Sequence, residues 1–153
     1  MKKRCLFGNC ELDERQLLLR GNIYQHMLVV VLALLLVNGF LKDEGIVWAQ
    51  GMWENLLIFW AGATLGLGEM ILRDITPAGS RQNIVYILLG ICGGMLLILG
   101  GIHVFLEGQA LAENGALTTL GAGLIQALCM AAVFLLFLGK WLVSRTRGVK
   151  DED

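Results

Sequence analysis

The chain has 153 residues, is 56% hydrophobic and only 16% charged, and carries a net charge of -1. Its charge content lies well below the roughly 25% of an ordinary soluble domain, and without a basic excess there is no electrostatic case for nucleic acid as a partner. The charges gather at the two ends and in short breaks between apolar runs, which is the pattern of a polytopic membrane protein.

The N-terminal segment, residues 1–22, opens with Lys2, Lys3 and Arg4, but only Leu6 and Phe7 follow before Asn9 and Glu11. No apolar stretch of signal-peptide length is present, so no cleaved leader is expected. LFGNC, ending at Cys10, lacks the apolar run of a lipoprotein box and has Asn9 where a small residue belongs. The next stretch, LDERQLLLRGNIYQH, is the most organised polar part of the chain. Asp13 and Gln16 have capping-box spacing, and Leu12 and Leu17 occupy the positions of a hydrophobic staple. Glu11 and Glu14 put negative charge at the positive end of the helix dipole. A helix is predicted from about Asp13, with a hinge at Gly21 and Asn22. Leu17, Leu18 and Leu19 then lie at the membrane surface, and Arg15 and Arg20 meet anionic headgroups. The structural use of this stretch is a helix start that sets topology. Its functional use is a cytoplasmic docking surface made by Asp13, Glu14, Arg15, Gln16 and Arg20.

Four windows are long and apolar enough for a bilayer core of ~30 Å, which needs about 20 residues of helix. They cover residues 23–41, 52–72, 84–106 and 117–139. Backbone groups in lipid must be satisfied internally, and these lengths suit helices, not barrel strands. The predicted fold class is therefore all-α, a bundle of four transmembrane helices with short outer loops. Of the twelve basic residues only Lys42 falls between spans one and two, and none falls between spans three and four. The other eleven share one side, so both termini are expected in the cytoplasm. Tyr24, Tyr86 and Trp141 then sit at the inner interface and Trp48 and Trp53 at the outer one, with Trp60 deeper. The tail, residues 140–153, reads as a basic inner-face anchor with a short disordered acidic end.

An intramembrane ionisable group is a functional candidate by default. Glu69 lies in the inner part of span two, with Arg73 four residues on in the favoured order for a helical ion pair. Glu54, near the outer end, is expected to reach water as end-of-helix charges do. His103 and Glu107 are one turn apart near the outer end of span three, a spacing that suits either a pair that responds to outside pH or a plain interfacial polar pair. The span midplanes fall near Leu32, Gly62, Met95 and Leu128, and no carboxylate, Lys, Arg or His lies within about one and a half turns of them. Gln126 and Thr64 are the main polar groups at depth. Coupled transporters place an ionisable group or an unwound helix there, which argues against that class.

Gly62 and Gly66, and Gly90 and Gly94, are pairs four residues apart on spans two and three. Such faces let helix backbones approach closely, either within one bundle or between copies in a homo-oligomer. Cys5 and Cys10 face the reducing side, Cys92 and Cys129 lie mid-span, and no disulfide is implied. Cys5-x4-Cys10 with His26 lacks the spacing and the fourth ligand of structural zinc, so no metal site is assigned. No phosphate loop, no Ser with a base and no pair of deep carboxylates is present, so neither an enzyme nor a cofactor is expected.

The LDERQ segment before the first span, His26 at its start, and Trp48-x4-Trp53-Glu54 opening the second resemble a family of small bacterial multi-pass membrane proteins, classed as a domain of unknown function. The resemblance covers the first half of the chain. The turn after span two, LRDITPAGSR, differs from the GIWDR-like turn of that family. The resemblance implies topology and a bacterial inner membrane, and no activity. The functional expectation is a small regulatory or scaffolding protein that binds a cytoplasmic partner from the lipid bilayer. The alternative is a small oligomeric transporter or channel subunit, with Glu69, Gln126 and the span-three glycines along a path.

Overall fold

A computed structural model of the chain describes residues 14–73, 75 and 80–150. It contains four long helices and almost no sheet: α1 (Glu14–Asp43), α2 (Trp53–Leu72), α3 (Ser80–Glu107) and α4 (Thr119–Lys150). All four are long and apolar enough to cross a membrane. At 1.5 Å per residue α2 is ~30 Å long and matches a bilayer core, while α1 is ~45 Å and overhangs it. This is the shape of a multi-pass membrane protein. Large side chains such as Leu28, Leu36, Phe40, Ile91 and Leu135 are exposed on its surface, where lipid replaces water as the solvent.

Asp13, Leu12, Cys5 and Cys10 lie outside the described residues, and with them the proposed cap and staple. The expected hinge at Gly21 and Asn22 is absent, because α1 runs unbroken from Glu14 to Asp43. A glycine inside a helix costs about 1 kcal/mol relative to alanine, too little to break a helix supported on both sides. The last helix also departs from expectation. It begins at Thr119, not Leu117, and continues through the basic tail as far as Lys150. Thr118 ends the preceding loop: its Oγ1 accepts from the Gly121 N–H at 3.2 Å and donates to the Ala110 carbonyl at 2.9 Å.

The helices pack in the order α1, α2, α4, α3, with α2 and α4 central. Glycines make this closeness possible. A Cβ on Gly62 would run into Val31, and one on Gly66 would come within 2.9 Å of Met27 Sδ, so α1 presses against α2 there. On the α3–α4 seam Gly90 faces the Phe134 ring, Gly93 lies against Met130 and Ala127, and Gly100 faces Leu124. Gly94 faces open space. Gly90 therefore works with Gly93 and Gly100 rather than with Gly94. Toward the end of the bundle where α1 begins and α2 ends, Ile71, Tyr86 and Val133 form a core with Leu67, Leu89 and Phe137. There the Tyr86 and Phe137 rings stack 4.9 Å apart.

The opposite end is closed by its two connections. α1 ends at Asp43, and Gly45, with a φ of +73°, turns the chain out of the helix, with the Ile46 N–H bonded to the Leu41 carbonyl at 2.8 Å. A two-stranded hairpin, β1 (Ala112–Glu113) and β2 (Ala116–Leu117), pairs Ala112 with Leu117. Its turn is Asn114-Gly115, both at positive φ (52° and 83°), the combination that a tight hairpin turn requires. Leu117 also donates to the Trp48 carbonyl at 2.8 Å and accepts from Gln50 at 3.0 Å. The two connections are thus stitched together over a small core of Ala49, Leu57 and Ala122.

Candidate functional site

Polar side chains collect at the two ends of the α1–α2 pair. At the end where α1 begins and α2 ends, Glu69 Oε1 lies 2.5 Å from Arg73 Nη2 and 3.5 Å from His26 Nδ1. The pair one turn apart on α2 is thereby tied to α1. His26 and Arg73 are 62% and 41% exposed while Glu69 is 24% exposed, so the carboxylate sits behind its two partners. Lys140 of α4 reaches across to the end of α2, donating to the Ile71 carbonyl and, at 3.4 Å, to the Leu72 carbonyl. Those carbonyls have no further turn to bond, and a cation there complements the negative end of the helix dipole. His26 and Lys140 are therefore parts of this end that sequence spacing could not supply. They come from other helices, and only the packing order brings them to α2.

At the hairpin end, Glu54 corrects the expectation that it reaches water. It is only 1% exposed. Lys42 Nζ stands 2.9 Å from its Oε2, without hydrogen-bond alignment, and neither Glu54 oxygen accepts a hydrogen bond among the described residues. The pair is electrostatic, closed by the half-exposed Lys42 over a buried carboxylate. The reason is the stitched cap, which covers the start of α2 and takes away the water that a free helix end would have. Beside it, Asn38 is buried on α1. Its Oδ1 accepts from Trp48 Nε1 at 2.7 Å and its Nδ2 donates to Asn55 Oδ1 at 3.2 Å. Asn38 and Asn55 carry a neutral polar link between α1 and α2, yet neither stands out in sequence. An Asn late in one apolar run and another early in the next is the only signal for them.

The other candidates stay local. His103 Nδ1 lies 2.8 Å from Glu107 Oε2, which also accepts from Gln109 Nε2 at 2.9 Å. Thr64 donates to the Trp60 carbonyl at 2.7 Å within its own helix. Gln126 is partly buried on α4 and is not brought together with Glu69. Glu14 and Arg15 are exposed and Gln16 and Arg20 are partly covered at the start of α1, with Leu17 and Leu18 exposed beside them. Arg20 Nε donates to the Tyr24 hydroxyl at 3.0 Å, with its guanidinium carbon 5.6 Å from the ring centre. No group of three or more potential metal ligands occurs among the described residues. No family model, no curated protein and no solved structure matches this chain.

Proposed function

We propose that this is a small multi-pass protein of a bacterial cytoplasmic membrane, with both termini in the cytoplasm, that regulates or scaffolds by docking a cytoplasmic protein on the start of α1. No enzymatic activity is part of this reading. The observation that carries it is the overhang of α1, which projects Glu14 to Leu18 as helix ahead of the first apolar run. Leu17 and Leu18 are 53% and 73% exposed there, flanked by the exposed Glu14 and Arg15. A short apolar strip edged by both signs of charge on a rigid helix suits a groove on a partner. The side assigned to the termini rests on the distribution of Lys and Arg, and the bacterial source on the resemblance of LDERQ, His26 and Trp48-x4-Trp53-Glu54.

The test is a photo-crosslinking amino acid at Leu18 in the full chain, expressed in its own host. A discrete adduct with a soluble protein is expected. Arg15→Glu with Leu17→Ser should abolish it while the protein still inserts and extracts as wild type. An adduct that survives those changes, or crosslinks only to lipid, would sink the docking reading.

A further inference from the structure

A groove of about 370 Å³ opens between α1 and α3, with α2 as its floor. Arg20 and Tyr24 stand at one end, Val31 and Phe59 at the other, and Ala63 is on the floor. From Arg20 to Val31 is eleven residues, ~16 Å of helix. The facing stretch of α2, Phe59 to Met70, has the same length. That is about half of a ~30 Å bilayer core, the depth of one leaflet. The walls are apolar apart from the Arg20 end. Arg20 pairs with no carboxylate among the described residues, and its guanidinium is steadied by the Tyr24 hydroxyl at 3.0 Å.

We propose that this groove is a binding site for one anionic phospholipid of the leaflet that holds the N-terminal part of α1. One acyl chain lies along Met27, Val31 and Ala63, and the phosphate meets the Arg20 guanidinium beside the Tyr24 hydroxyl. Charge complementarity selects the occupant: an arginine with no carboxylate partner among the described residues, held at headgroup level over an apolar trough, attracts a phosphate whose tail can fill that trough. Depth argues against a second copy of the chain, because a packed transmembrane helix follows its partner through both leaflets, whereas this groove ends near the middle of α1. The proposal requires that the bundle lie in a bilayer, and it is independent of partner docking at Leu17 and Leu18.

The experiment is native mass spectrometry of the full chain, extracted in mild detergent with equal amounts of phosphatidylglycerol and phosphatidylcholine of identical acyl chains. Retention of phosphatidylglycerol by about fivefold over phosphatidylcholine is expected, the factor one basic residue contributes near an anionic surface. Arg20→Gln, which removes the charge while keeping a polar side chain beside Tyr24, should bring the ratio close to one. Ala63→Leu, which fills the floor, should remove both adducts. Equal retention by the wild type, an unchanged preference in Arg20→Gln, or adducts that persist in Ala63→Leu would each overturn the site. So would a disulfide-linked dimer formed in membranes through Phe59→Cys, in a chain with its native cysteines replaced, since a second copy would then cover the groove. Loss of lipid preference with the Leu18 adduct intact would leave the docking reading standing, and the reverse result would leave the lipid site standing.

Discussion

Glu54 is the residue on which the hairpin end turns. A buried carboxylate is tolerable only while a counter-charge is held beside it, and removing one partner of such a pair is costlier than removing both. Lys42→Met should therefore destabilise the fold by about 2–3 kcal/mol, somewhat less than for a fully buried pair because Lys42 is half exposed. Glu54→Gln should cost less, and the double variant should be more stable than Lys42→Met alone. Equilibrium unfolding in detergent of the two single variants and the double variant measures the coupling. A double variant as unstable as the sum of its parts would mean that the 2.9 Å approach contributes nothing. Asn38, bonded to both Trp48 and Asn55, differs in kind. Its two neutral hydrogen bonds tie α1 to α2 through Asn55 and to the connection between them through Trp48, without the desolvation cost of a charge.

At the scale of the elements, glycine placement decides which faces meet. The α3–α4 seam admits Gly90 under Phe134 and Gly100 under Leu124, whereas Gly94 points into open space. Gly90→Leu should overpack the seam and cost about 1–3 kcal/mol, lowering the melting midpoint in detergent. Gly94→Leu should leave that midpoint unchanged. If both substitutions act alike, the seam lies elsewhere. The four-residue spacing of Gly90 and Gly94 was readable in sequence, but it names two residues of which only one is in the contact. A helix of 3.6 residues per turn puts positions three and four apart on the same side, so sequence alone cannot choose between Gly93 and Gly94. The close contacts of Gly62, Gly66, Gly90, Gly93 and Gly100 all fall within one chain. Those five glycines are therefore occupied by intramolecular packing, whereas Gly94 and Gly101 face open space.

Across the whole molecule, the two ends are built differently. One gathers Glu69, His26, Arg73 and Lys140 in partly exposed positions. The other is sealed by the hairpin and its link to residues 48–50. Topology follows if the basic residues keep their side. In a chain with its four native cysteines replaced, Glu113→Cys should react with a membrane-impermeant maleimide in intact cells, and Ser144→Cys only after permeabilisation. The opposite labelling pattern would place the termini outside and remove the cytoplasmic docking surface with them.

The chain order of apolar runs and charged breaks determined the number of helices and the all-α class, because crossing a bilayer core requires about 20 apolar residues whose backbone bonds are satisfied within the segment. Local spacing likewise determined the Glu69–Arg73 and His103–Glu107 pairs, since residues four apart on a helix are neighbours whatever else is nearby. Asn114-Gly115 is a hairpin dipeptide by residue type, but only the structure shows the two short strands that it joins. Contacts between helices were decided only by the tertiary structure. The burial of Glu54, the Asn38–Trp48–Asn55 link, the reach of Lys140 to α2 and the groove below Arg20 all depend on which helix stands beside which. In lipid, hydrophobicity drives no particular pairing of helices. Packing of small residues and polar links between distant segments chooses it instead, and neither has a period that a single run of sequence can display.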